Sequence, residues 1–144
     1  MNFKFDQHRK GEHIMTYKTN SPISASDVAD LRQAVGWNRI EESLQSALSA
    51  SFCHIAAYDK NKLIGFVDCV SNGVTDAYIQ DLMVHPDYQG KGIGSQLMDR
   101  TTEYLKEKHI YMISVVYDKS LKGFYERFGF FGMLSGQMQI YNCE

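Results

Sequence analysis

Proline is scarce in this chain, with only Pro22 and Pro86, and eleven glycines are spread along 144 residues. That composition excludes a collagen-like or long disordered chain. Cysteine is nearly as rare: Cys53, Cys69 and Cys143 make an odd count without metal-ligand spacing, which points to reduced thiols. His54 and His85 are too isolated to suggest a metal site, so no metal is expected. No apolar run approaches the roughly 18 residues that a membrane helix needs. The polar start, Met1 to Ile14, does not resemble a secretory signal. A basic excess is missing too: the formal charge is -2, against the Lys/Arg surplus that nucleic-acid binding calls for. What is present is a 44% hydrophobic share with 12% aromatics, enough for one core in one domain. These limits leave a cytoplasmic enzyme or binding domain.

Residues 1–14 show no clear period and read as a flexible extension or an extra edge strand, with a single domain over 15–144. Met15 to Thr19 reads as a short strand. Ser24 or Ser26 can cap a helix whose stripe is Val28, Leu31 and Val35, with Gly36 as its stop. A second helix is predicted from about Arg39 to Ala50. Phe52 to Tyr58, Leu63 to Val70 and Ala77 to Val84 then read as an antiparallel meander. A strong amphipathic helix follows over about Gly92 to Lys108, then a buried strand, Ile110 to Val116. A last helix is expected over Lys119 to Phe128. Two short strands, Phe130 to Leu134 and Gln137 to Asn142, should finish the chain across Ser135-Gly136. The order is mixed α/β.

The most informative segment is Gln89-Gly90-Lys91-Gly92-Ile93-Gly94-Ser95, between a strand and a helix. A helix start leaves N–H groups unpaired and carries partial positive charge. Glycines let those groups approach a bulky anion, so the turn suits a pyrophosphate. It is not a nucleoside triphosphate loop, because Lys91 precedes Gly92 instead of following the last glycine. The spacing of glycines 90, 92 and 94 also fails the dinucleotide fingerprint.

Ile79 to Gly94, an apolar strand ending in Val84-His85-Pro86 and then Gln89-Gly90-Lys91-Gly92-Ile93-Gly94, resembles the central motif of the GNAT superfamily of N-acetyltransferases. Gly123-Phe124-Tyr125-Glu126-Arg127-Phe128-Gly129-Phe130 is similar to a second element of that family, in the right order downstream. The resemblance implies a GNAT fold: a mixed, mostly antiparallel sheet of about six or seven strands flanked by about four helices. It implies acetyl-CoA as acetyl donor. The backbone of Met83 and Val84 would pair with the pantetheine arm, and the N–H groups of Gln89, Gly90, Lys91, Gly92, Ile93, Gly94 and Ser95 would hold the pyrophosphate. Tyr125 would act as general acid toward the departing sulfur. Asp118 stands where the family often has Asn, so its contact with the cofactor arm is a departure from the pattern.

Some members of that family carry Glu or His as a base on the strand before the glycine turn, where this chain has Tyr78, Gln80 and Asp81. Asp81 is the only carboxylate there, and a structural hydrogen bond or a water chain are the competing readings. The strand pleat would send Asp81 to the face opposite Tyr78 and Gln80 unless a bulge intervenes. Trp37 would border the acceptor pocket or pack between the two helices. Cys69 is conceivable as an acyl carrier, but reads better as a buried thiol. The expected acceptor is a primary amine of a small metabolite. A protein lysine or N-terminal amine, and a non-catalytic acyl-CoA sensor, are the alternatives. The C-terminal strands offer a means of forming a homodimer.

Overall fold

The computed structural model describes residues 14–141; all of the expected N-terminal extension except Ile14, and Cys143, lie outside them. Five strands form one sheet in sequence order: β1 (Thr16–Thr19), β2 (Cys53–Asp59), β3 (Lys62–Ser71), β4 (Asp76–Val84) and β5 (Met112–Val115). The first four pair antiparallel, and β5 runs parallel to β4 after a helical crossover. The helices are α1 (Ala25–Ala34), α2 (Glu41–Ala50), α3 (Ile93–Glu107) and α4 (Lys122–Glu126).

The sheet is covered on both faces. On one, Ile55, Ile64, Val67 and Ile79 pack against Leu97, Met98 and Leu105 of α3, with Tyr125 of α4 in the same cluster. On the other, Ala56, Leu63, Phe66 and Met83 pack against Val28, Leu31 and Leu44 of α1 and α2. Burying each such large aliphatic side chain contributes about 1.5–3 kcal/mol. The middle strand β3 is apolar on both faces for this reason.

Local chemistry sets the ends of α1. Ser24 Oγ accepts from the Asp27 N–H at 3.3 Å, as the expected cap. At the other end Gly36 takes φ +87°. Its N–H donates to the Gln33 carbonyl at 3.0 Å, and the Trp37 N–H donates to the Arg32 carbonyl at 2.9 Å. This is a Schellman ending, and it folds Trp37 back onto the last turn of α1.

Three expectations are corrected. The sheet has five strands among the described residues instead of six or seven, because residues 130–140 form neither of the two predicted strands. Their alternating pattern supplies strand propensity, but among the described residues they pair with no strand of the sheet. The strand predicted as buried over 110–116 is shorter, and its residues alternate between exposed and half-buried, since no strand among the described residues pairs with its outer edge. The last helix shrinks to α4, preceded by a 3-10 turn, Lys119–Leu121. The meander and the amphipathic α3 stand as read.

Candidate active site

β4 carries the decisive irregularity. Phe66 pairs with Met83 and Asp68 with Gln80, so two residues of β4 face one of β3. That is a β-bulge, with Asp81 at φ +55°. The extra residue resets the pleat. Ala77 and Ile79 before it, and Leu82 and Val84 after it, belong to the α3 side, while Met83 lies on the α1 side. Gln80 and Asp81 therefore share the α1 face with Tyr78, and the regular-pleat expectation for Asp81 is overturned.

On that face the Arg32 guanidinium donates to Asp81 Oδ2 at 3.1 Å and to the Asn38 carbonyl and Oδ1, both at 2.8 Å. The same guanidinium sits over the Trp37 ring, 5.2 Å from its centroid. Trp37 is thus stacked on a cation and 43% exposed, not wedged between helices. Asp68, 5% exposed, accepts from the Ser51 hydroxyl and from Gln80 Nε2, the latter at 2.9 Å. Burial pushes the Asp81 carboxyl above the ordinary range. The Asp68 charge adds to that, and Arg32 opposes it.

Neither Arg32 nor Asp68 was singled out from the sequence, yet both left a signal. Arg32 is a charge four residues after Val28, on the stripe that faces the core. Asp68 is the one charge inside the run Leu63 to Val70.

The β4–β5 ladder covers only Asp76 to Ile79 opposite Met112 to Val115. Beyond it the strands part, and Met83 and Val84 pair only with β3 within the sheet. The glycine turn lies just past the end of β4. Gly90 and Gly92 take φ +74° and +80°, and a Cβ on either would meet open space. α3 then begins at Ile93 with no side-chain cap and no acidic residue in its first turn. Its first N–H groups are free to face an anion. Lys91 lies over the Tyr88 ring at 5.2 Å, and Arg127, a second cation that sequence reading passed over, donates to Ser95 Oγ at 3.2 Å. Gln89 spends its side-chain amide on the Val84 carbonyl at 3.0 Å. The turn therefore fits a diphosphate: open amides, positive surroundings and no obstructing side chain.

Tyr125 is 5% exposed and stacks on Tyr117, with ring centroids 4.5 Å apart. Burial raises its phenol above the usual value, and neighbouring Tyr78 and Tyr117 add to the shift. It holds its proton at neutral pH. Asp118 caps the 3-10 turn, accepting from the Ser120 N–H at 2.9 Å and the Ser120 hydroxyl at 2.6 Å, and those bonds lower its carboxyl. Cys69 is buried, and loss of water pushes its thiol up to about 12, which removes the thiolate an acyl carrier needs. His54 bonds the Ser21 carbonyl at 2.8 Å and His85 accepts from the Asp87 N–H at 3.2 Å. Among the described residues no cluster could hold a metal, and no helix is long and apolar enough to cross a membrane.

Two clefts open nearby. One of about 510 Å³ is lined by Val70, Asp76, Tyr78 and Ser114 at the β4–β5 end. The other, about 580 Å³, lies among Asn20, Ser24, Glu41 and His54, and includes neither Asp81, Tyr125 nor the glycine turn. The first shares Tyr78 with the candidate site and likewise includes neither Asp81, Tyr125 nor the glycine turn.

A split sheet beside a glycine turn, with a protonated tyrosine on α4, defines an acyl-coenzyme A-binding fold. The chain belongs to the acetyltransferase (GNAT) family, whose pattern matches residues 23–130. It is 34% identical over 77% of its length to the uncharacterised N-acetyltransferase ycf52 of Gracilaria tenuistipitata var. liui, and spans 64% of that relative. A GNAT family acetyltransferase of Streptococcus pneumoniae TIGR4 superposes with TM-score 0.74 at 32% identity, covering 89% of this chain and 98% of that one. The protein SA2161 of meticillin-resistant Staphylococcus aureus superposes with TM-score 0.80 at 26% identity, covering 90% and 100%.

Proposed function

We propose that the protein transfers the acetyl group of acetyl-CoA directly to a primary amine of a small metabolite, working as a homodimer in the cytoplasm. The observation that carries this reading is the freed edge of β4 ending at an open, positively charged glycine turn. An extended, amide-bearing arm satisfies such an edge, and the turn takes the diphosphate at the arm's far end. Acetyl-CoA supplies the reactive thioester.

The chain's own groups do the rest. The backbone of Met83 and Val84 aligns the arm, and the N–H groups of residues 89–95 anchor it. Asp81 accepts a proton from the incoming ammonium, since an amine near its ordinary pKa arrives protonated. Tyr78, Gln80 and Trp37 border the acceptor. As the N–C bond forms and the C–S bond breaks, Tyr125 gives its proton to the departing sulfur. The carboxylates of Asp68 and Asp81 outnumber the one guanidinium of Arg32, so the acceptor side favours a cationic amine.

The exposed ring of Trp37 and the open face beside β5 also suit a larger acceptor, a lysine or N-terminal amine of a protein. A panel of free amines and peptides separates the two readings by which releases free thiol from acetyl-CoA faster. Tyr125→Phe is expected to lower kcat on the best acceptor by about 10²-fold, with little change in acetyl-CoA KM. An unchanged kcat removes Tyr125 from the mechanism. Tight acetyl-CoA binding without thiol release from any acceptor points instead to a sensor.

A further inference from the structure

The bulge in β4 sets two consecutive side chains, and each is tied at one end to a buried partner. Asp81 takes the Arg32 guanidinium on Oδ2 at 3.1 Å. Gln80 lies directly across the ladder from Asp68 of β3 and donates through Nε2 to Asp68 Oδ2 at 2.9 Å. Asp68 is buried, and its other oxygen accepts from the hydroxyl of Ser51, the residue that ends α2. Among the described residues neither Gln80 nor Asp81 makes another side-chain bond.

The chemistry of the pair fixes which way round the Gln80 amide stands. A carboxylate only accepts, so the NH2 end of Gln80 must face Asp68. Turning the amide over would set Oε1 against Oδ2 and leave the NH2 group without its partner. The end left over is therefore the carbonyl oxygen, on a side chain that is half-buried where Asp68 is buried.

We propose that Asp68 is a positioning residue for acetyl transfer: seated by Ser51, it holds Gln80 so that Oε1 faces the acceptor amine beside the Asp81 carboxylate. This rests on the acetyl-transfer reading above and adds what the acceptor side asks of its ligand. Two oxygen acceptors on consecutive residues suit a group that brings at least two hydrogens, as a primary ammonium does. One proton goes to Asp81. A remaining N–H donates to Oε1, which orients the nitrogen lone pair for attack on the thioester. Asp68 is buried too deeply to meet the amine itself and works through Gln80.

The lock is read first without turnover. In isotope-labelled protein the side-chain NH2 signals of Gln80, identified by their loss in Gln80→Leu, should exchange slowly with water. In Asp68→Leu, which keeps the shape but not the oxygens, they should exchange fast. In kinetics, Gln80→Leu and Asp68→Leu should each lower kcat/KM for the amine about tenfold, with the acetyl-CoA KM unchanged. The double variant should be no worse than Gln80→Leu alone, because both changes break one interaction. A merely structural Asp68 would add its own loss. Fast exchange at Gln80 in the parent overturns the proposal, and so does a double variant whose losses multiply. Gln80→Leu leaves Asp68 bonded to Ser51, so parent and Gln80→Leu decide the matter even if Asp68→Leu fails to fold. Amine-dependent thiol release untouched by Gln80→Leu rejects this inference and leaves the acetyl-transfer reading standing. A protected Gln80 amide with no thiol release from any amine defeats that reading itself, and the inference falls with it.

Discussion

Asp81 owes its position to one backbone angle. With φ at +55° it occupies a region that most side chains avoid, and only the bulge brings its carboxyl to Arg32 instead of into the α3 core. Such strain at a candidate base is the kind of departure that persists where the surroundings enforce it. Here the enforcing partner is Arg32, held in turn by Asn38 and Trp37. A base must be ionised to work, and burial raises the Asp81 carboxyl. The acid limb of the kcat profile should therefore lie above the ordinary carboxylate value, with activity rising as pH climbs through it. Asp81→Asn keeps an oxygen for Arg32 to bond while losing the base. It is expected to lower kcat by roughly 10²-fold and to abolish that limb. If steady-state profiles of variant and parent share the same acid limb, Asp81 is not the base. On the alkaline side the sign reverses. The raised Tyr125 phenol serves as donor only while protonated, so loss of activity from that group falls on the alkaline side of the ordinary phenol range.

At the scale of elements, the contact that seats the glycine turn is the one between α3 and the sheet. Gly65 of β3 makes it possible: a Cβ there would lie 3.0 Å from Leu97 Cδ1, 3.1 Å from Ile93 Cγ2 and 3.2 Å from the Ala57 Cβ. Ile93 is the first residue of α3, so any outward push is felt at the anion site. Gly65→Ala should destabilise the protein by about 1–3 kcal/mol through overpacking, read by chemical denaturation. It should also weaken coenzyme A binding, read by calorimetry. An alanine variant as stable as the parent means that α3 sits more loosely than these distances require. Gly92 works differently, since space around it is open and only its φ of +80° demands glycine.

For the whole molecule, the two halves of the candidate site lie on different layers. The glycine turn and Tyr125 belong to the α3 and α4 side, and Asp81, Tyr78 and Trp37 to the α1 side. They communicate only where β4 and β5 part. A ligand held along that gap binds the folded chain alone, so it must stabilise it. Coenzyme A at about 100 times its Kd should contribute about 2.7 kcal/mol, on the order of 5–10 °C in Tm for a domain of this size. Gly92→Val, which forces a β-branched residue to positive φ, should lose most of that shift. A parent protein whose melting temperature ignores coenzyme A would overturn the donor site.

Sequence by itself determined the elements with strong local signals. The Ser24 cap, the Gly36 stop, the period of α3 and the glycine turn are each written within a few neighbouring residues, because helix ends and positive-φ turns depend on local chemistry. The family likeness over Ile79 to Gly94 and Gly123 to Phe130 rests on the same local text. Only the tertiary structure decided which face Asp81 occupies, because a bulge is a mismatch between two strands and neither strand records it alone. It likewise brought Arg32 to Asp81, 49 positions apart in the chain, and Asp68 to Gln80, 12 apart. And it left the alternating residues after Phe130 without a ladder: a strand's pattern is local, but its hydrogen bonds need a partner strand, and among the described residues they pair with none.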